Sequence, residues 1–254
     1  MQVGPHVSRD ASYMTTNDPF RHHPGLRALI KPREDSFFAD FHVDKAIEIG
    51  KQHGRATDWI LTEAEIEADR AQALAGRMDR DLWVFAYGSL MWDPAVRFTE
   101  VRRGFAPGAE RRFILFDING ARGTEDQPGL MAALDAGQGC HGLIFRIAAR
   151  DVQDETRSLW HRERLGEAYL PRFISVETDH GTEEALAFLA NHAAGNIRGD
   201  LQHDEQVRLI ATGEGFLGTS REYLENLAAH FEEMKIEDAE VTRLVTDVRA
   251  YASG

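Results

Sequence analysis

Asp81 to Pro94 reads DLWVFAYGSLMWDP. The hydrophobic run Leu82 to Tyr87 has the character of a buried strand, and Gly88-Ser89 break it sharply. Met91 and Trp92 follow at once, and Asp93-Pro94 close the unit. A strand that runs straight into a tight glycine turn exposes backbone N–H groups at its end, and a concave set of such groups is an anion site. The same letters also fit a plain strand, a turn and two core aromatics, since short motifs carry little weight alone. Within these fourteen residues both readings stay open.

Outward from this stretch toward the C-terminus, short apolar runs alternate with turn signals. Strands are expected at Leu82 to Tyr87, Val101 to Ala106, Arg111 to Asp117, Leu130 to Leu134, His141 to Ile147, Phe173 to Thr178 and Ala185 to Leu189. Turn residues at Pro107-Gly108, Asn119-Gly120, Pro128-Gly129, Gly137 to Gly139 and Gly181 separate them. Many short strands of this kind favour an antiparallel barrel or sandwich. One helix interrupts them, Ala149 to Arg164, with Val152, Thr156, Leu159 and Trp160 at helical spacing. Beyond Ala190 the pattern is helical: Asp204 to Ala211, a helix capped by Thr219 and Glu222, and Ile236 to Tyr251. The fold class expected is α+β, a mainly antiparallel β-barrel with helices packed against it. Upstream, Thr62 with Glu65 forms a capping box for a helix ending near Met78, whereas Met1 to Arg55 is poorly patterned. In that segment Phe37, Phe38 and Phe41 form an aromatic cluster suited to docking it onto the main body. A boundary near residue 80 divides an N-terminal extension, 1–80, from the main body, 81–254.

The chain has 254 residues, 43% hydrophobic and 28% charged, with a formal net charge of −13. That charge argues against binding nucleic-acid phosphates and would repel an anionic membrane surface. No apolar run approaches membrane-spanning length and no signal-peptide core opens the chain, so cytoplasmic localisation is the default expectation. The lone Cys140 excludes an intrachain disulfide and a cysteine-rich zinc site, and its apolar surroundings read as core. His22-His23 lack further ligands at useful spacing, and His6, His180, His192 and His203 form no ligand set, so no metal is expected. Ser89 lacks the GxSxG context of a nucleophile, and Gly213 to Gly215 has no phosphate-loop lysine after it. Glu163 lies at the end of a helix, close to the stripe of Leu159 and Trp160. It reads either as a surface partner of Arg162 or Arg164, or as a half-buried carboxylate raised toward the range of proton transfer. His161, beside two arginines, reads as solvated.

Taken together, these blocks resemble the ChaC-like γ-glutamylcyclotransferase family. YGSLMW at Tyr87 to Trp92 is similar to its signature loop. RRF at Arg111 to Phe113, RGTEDQPGL at Arg122 to Leu130 and GLIFRI at Gly142 to Ile147 follow in order. WHRERLGEAYLPRF at Trp160 to Phe173 is similar to its catalytic segment, and Tyr223-Leu224 to a late tyrosine-leucine pair. The resemblance implies a compact barrel with flanking helices, no metal and no coenzyme. It also implies cleavage of γ-glutamyl amides, usually glutathione, to 5-oxoproline and a free amine. Carried over residue by residue, it puts the general acid/base on Glu163. It puts γ-glutamyl recognition on Tyr87, Gly88, Ser89, Leu90 and Met91. Beside the resemblance, Arg122 reads either as a second carboxylate clamp or as a structural residue, and Tyr223 as part of the pocket lining. The partner expected is therefore a small γ-glutamyl molecule. Ala86 departs from the family pattern, where a glycine is common, as do His161 and Arg164 beside the glutamate. Cyclisation of other γ-glutamyl amines and a non-catalytic ligand-binding module are the competing expectations.

Overall fold

Leu82–Ala86 (β1) is buried at every position, and its residues alternate between two hydrophobic clusters. Leu82, Val84 and Ala86 join a cluster shared with the helices. Trp83, Phe85 and the following Tyr87 join one to which no helix contributes. That division follows from the two-residue period of a strand with cover on both faces. In the computed structural model, which describes residues 18–251, β1 belongs to a closed barrel. His6 and the rest of positions 1–17 lie outside the described residues.

The other strands are Glu100–Ala106 (β2), Ala109–Asn119 (β3), Thr124–Ala136 (β4), Cys140–Ile147 (β5), Tyr169–Thr178 (β6) and Gly181–Ala190 (β7). The order β1-β5-β2-β6-β7 is closed by parallel pairing of β1 with β7, and the β3–β4 hairpin extends the sheet from β7. The β4–β7 pairing is also parallel, and the others are antiparallel. The expected α+β barrel is thus present, with all seven strands. Several run longer than the apolar pattern implied, because hairpin partners extend pairing into polar positions. β4 continues through Pro128-Gly129, where a turn is expected. The hairpin absorbs them beside a register irregularity, a place where sheets accept such residues.

Five of the six helices were legible in outline. Glu63–Ala73 (α2) and Ser220–Met234 (α5) each begin with the capping box read from Thr62/Glu65 and Thr219/Glu222. Val152–Glu163 (α3), His203–Thr212 (α4) and Ala239–Tyr251 (α6) complete that set. Val43–Gln52 (α1) was not expected. Its cap is the ring of His42, which accepts from the Lys45 N–H, and histidine is not among the usual capping residues. A two-residue ladder, Glu214–Gly215 (β8) with Gly218–Thr219 (β9), leads into α5.

Among the described residues, the segment before β1 has no separate core. Phe20, Leu26, Ile30, Val43, Ile66 and Leu74 are buried in the cluster that holds Trp160, Leu186 and Phe188. Polar contacts lock α2 onto α3: the buried Arg70 guanidinium donates to Thr156 Oγ1 at 2.9 Å, and Trp160 Nε1 donates to Asp69 Oδ2 at 2.8 Å. Cys140 is buried in the barrel, as its surroundings indicated, and burial pushes its thiol up.

Shared burial of this kind makes the extension and the barrel unfold together. Leu26→Ala and Ile66→Ala are each expected to cost about 2–5 kcal/mol. Each should displace one common thermal transition, followed by circular dichroism, without creating a second.

Candidate active site

Glu163 is the last residue of α3, and the chain around it is tightly held. Trp160, one turn earlier, is buried against Phe188 with ring centroids 5.2 Å apart. Arg164, just past the helix, donates to Asp69 at 3.0 Å and to the Gly166 carbonyl at 3.2 Å. The Glu163 carboxyl therefore has little freedom, and its side chain is only 11% exposed. It opens into a cleft of about 1430 Å³ lined also by Ser89, Trp92, Arg122, Tyr169 and Tyr223. Burial raises its pKa above the ordinary glutamate value, and the neighbouring Arg162 opposes that rise without cancelling it. The carbonyl end of α3 points the same way as burial, since a helix C-terminus disfavours negative charge.

Arg162 is the link between this carboxylate and the turn after β1. Its Nε lies 3.1 Å from Glu163 Oε1, and its Nη2 donates to Ser89 Oγ at 2.9 Å. Its Nη1 donates to the Asp93 carbonyl, and its guanidinium stacks 4.0 Å from the centroid of the Phe38 ring. The pair is thus not the solvated surface contact that one sequence reading allowed. His161 also differs from its solvated expectation. It is buried and bonded to Glu63 of α2, 2.9 Å from Oε2, because its side of α3 faces α2.

The turn itself is a single 3₁₀ turn, Ser89–Met91, closed by Met91 N–H donating to the Gly88 carbonyl at 2.8 Å. The N–H groups of Ser89 and Leu90, at its start, donate to no carbonyl in the preceding segment, as expected of first-turn amides. Gly88 is needed for close approach: a β-carbon there would run into the Tyr223 hydroxyl. From the opposite side the buried Arg111 guanidinium braces the turn, donating to the Tyr87 carbonyl at 2.6 Å and pairing with Asp238 at 2.7 Å.

Three tyrosines lie near enough to feel the carboxylate's charge. Burial first, and the Glu163 charge in addition, push the phenols of Tyr87 and Tyr169 well up; burial brings Tyr223 to about 12. All three are neutral donors near pH 7. Tyr87 donates to the Phe188 carbonyl at 3.1 Å and Tyr169 to that of Ala132 at 3.4 Å. Opposite them, buried Asp117 accepts from the backbone N–H groups of Asn119, Gly120, Arg122 and Gly123, which shapes the loop carrying Arg122. The Arg122 side chain reaches the Thr219 carbonyl at 3.3 Å and Glu222 at 3.5 Å.

Of the residues named from sequence, Glu163, Ser89, Arg122 and Tyr223 line one cleft with their side chains, and Gly88 lies beneath the Tyr223 hydroxyl. Leu90 and Met91 turn their side chains into the core, and Tyr87 sits among the barrel-interior residues. Arg162, Arg111, Asp117 and Tyr169 were missed as site residues. Arg111, Arg162 and Tyr169 stand inside the family blocks, and Asp117 precedes an Asn-Gly turn, so each had a signal in place. Among the described residues, no three His, Cys, Asp or Glu side chains are grouped to hold a metal ion, and no helix is long and apolar enough to cross a membrane.

The contact between Gly88 and Tyr223 sets a testable expectation. Gly88→Ala should cost about 1–3 kcal/mol by overpacking. Adding Tyr223→Phe, which removes the obstructing oxygen, should recover most of that loss in thermal unfolding.

Comparison with known proteins identifies the family. A family model described as ChaC-like protein matches residues 82–251. The chain is 34% identical over 199 residues to the glutathione-specific gamma-glutamylcyclotransferase of Escherichia coli (strain K12), covering 77% of this chain and 86% of that protein. It is 30% identical over 152 residues to the glutathione-specific gamma-glutamylcyclotransferase 1 of Danio rerio, covering 58% and 77%. A crystal structure of a γ-glutamyl cyclotransferase specific to glutathione from yeast superposes with a TM-score of 0.63 at 20% identity, over 68% of this chain and 97% of that one, which shows the shared fold. With its signature turn, its ordered blocks and its barrel in agreement, the chain belongs to the ChaC-like protein family.

Proposed function

We propose that this protein is a γ-glutamylcyclotransferase that cleaves glutathione to 5-oxoproline and cysteinylglycine, with Glu163 as the general acid/base. In this reaction the substrate's α-amine attacks its own γ-carbonyl carbon. The new C–N bond closes a five-membered ring, and the old amide C–N bond breaks. The amine must lose a proton as it attacks, and the leaving amine must gain one. One carboxylate does both in turn, for about 10²–10⁴-fold in rate. The observation that carries the assignment is the Glu163 carboxyl, 11% exposed in the cleft and tied through Arg162 to the turn at Ser89.

The remaining work is positioning. Holding the γ-glutamyl group bent upon itself supplies several kcal/mol, up to about 10. The first amides of the Ser89–Met91 turn are suited to hold an anionic group of the substrate, either its α-carboxylate or the developing oxyanion. Neutral Tyr223, poised over Gly88, supplies a further donor at the same place. Arg162 keeps part of the negative charge on Glu163 despite its burial, which leaves the carboxylate able to accept a proton near neutral pH.

Glu163→Gln should retain the fold and lower 5-oxoproline release by at least about 10²-fold, measured by chromatography with glutathione as substrate. Because the folded-state pKa of Glu163 is raised, its ionisation costs stability. That cost is absent below the unfolded-state value and grows as pH rises through the folded one. The Gln variant should therefore unfold at no lower temperature than wild type at pH 8, and a marked drop would contradict the assigned protonation balance. In the wild type, the acidic limb of kcat/KM should lie above pH 4.5, with activity falling as Glu163 is protonated. Arg162→Met removes the opposing positive charge and should move that limb to higher pH. An unmoved limb would separate Arg162 from Glu163's titration.

A further inference from the structure

The cleft wall opposite the barrel comes from the extension, outside the segment 82–251 that the family model matches. The chain from Arg55 to Leu61 is pinned there. Leu61 N–H donates to the Leu165 carbonyl at 2.9 Å, two residues beyond Glu163, and the Trp59 ring lies where an added β-carbon on Gly166 would come within 3.0 Å of it. Arg55 lays its guanidinium against Gly120, a residue at φ +115° whose N–H is held by Asp117. A β-carbon at Gly120 would meet that guanidinium at Nη1.

Five cationic side chains line this cleft, and four of them are engaged. Lys31 faces Asp93 at 3.4 Å, Arg122 faces Glu222 at 3.5 Å, Arg162 faces Glu163 at 3.1 Å, and Arg198 stacks 5.1 Å from the Phe116 ring centroid. Arg55 has no acceptor among the described residues, and its Nη1 is buried without a hydrogen bond. A buried N–H of a charged group with nothing to donate to is costly, even where the rest of the side chain is partly exposed. In a chain of net charge −13, the surrounding field gives such a guanidinium every reason to have been neutralised internally. A carboxylate brought in by a ligand satisfies it, and Arg is the residue best shaped to take one.

We propose that Arg55 binds the carboxylate at the far end of the leaving dipeptide, so that the extension selects γ-glutamyl peptides over γ-glutamyl amines lacking that charge. This rests on the reaction assigned above. Glu163 and the Ser89 turn serve the γ-glutamyl end, and the carboxyl terminus of a leaving dipeptide is the substrate's other fixed negative charge. Phe37, Phe38 and Trp59 line the same cleft, and an apolar lining strengthens such a pairing.

The test compares glutathione with its C-terminal glycinamide, which differs only in that carboxylate, in wild type, Arg55→Met and Arg55→Lys. Wild type should show a KM about tenfold or more higher for the amide, the worth of a charge-assisted hydrogen bond. Arg55→Met should raise KM for glutathione by a similar factor, leave kcat within about twofold and leave the amide's KM unmoved, and Arg55→Lys should recover part of the difference. Equal effects of Arg55→Met on both substrates, or on neither, would overturn the role of Arg55 while leaving the reaction intact. Absence of 5-oxoproline from wild type with either substrate would remove the reaction and this proposal with it.

Discussion

The Arg162 guanidinium, 6% exposed, is shared among three segments that are distant in the chain. It pairs with Glu163 at the end of α3, donates to Ser89 Oγ and the Asp93 carbonyl in the turn after β1, and stacks on Phe38 of the extension. A planar, permanently charged group with several donors can meet all of these at once, and a lysine could not. Burial makes each bond stronger than it would be in water and makes a missing bond expensive. The cleft takes its shape from this one side chain, because the helix end, the turn and the aromatic cluster are all placed relative to it.

A second constraint is the balance of charge inside the cleft. A carboxylate taken out of water favours its neutral form, and a cation beside it favours the ionised one. Glu163 sits between these, with burial ahead. Three neutral tyrosines add donors without adding charge, so the glutamate is the titrating group of the cluster. The cost of holding an ionised carboxylate there is borne by the apolar cluster beneath it, where Trp160, Phe188 and Leu159 are buried. Sites of this kind trade stability for reactivity, and the large shared core makes that trade affordable only because it is cooperative.

The barrel serves as a rigid frame for this arrangement. β1 is covered on both faces, and its end is fixed by Arg111, which grips the Tyr87 carbonyl from below. The Gly88 turn then follows without slack, and the absence of a side chain at Gly88 lets α5 bring Tyr223 into contact. On the other side, Asp117 collects four backbone N–H groups and so orders a loop whose carbonyls are taken by Phe216, Leu217 and Ser220. The extension completes the enclosure with Phe37, Phe38 and Trp59, so the cleft is built by parts of the chain with very different sequence texture.

Local chemistry sufficed for the strands, the two capping boxes and the buried cysteine, because each is encoded within a few residues by hydrophobic period, turn residues or cap spacing. The order of motifs around Tyr87 to Trp92 and Trp160 to Phe173 likewise sufficed to recognise the family. Helix α1 escaped that reading because its cap is a histidine ring, and the boundaries of β4 escaped it because hairpin pairing overrode a Pro-Gly turn signal. Whether Glu163 lay in water or in a cleft was undetermined from its neighbours, since Arg162 and Arg164 looked alike along the chain. Packing separated them: Arg164 was drawn to Asp69 and Arg162 to Ser89 and Phe38. Long-range burial decides which of several charged groups loses its water, and that depends on residues such as Ser89 and Asp69, 73 and 95 positions away, which no local pattern records.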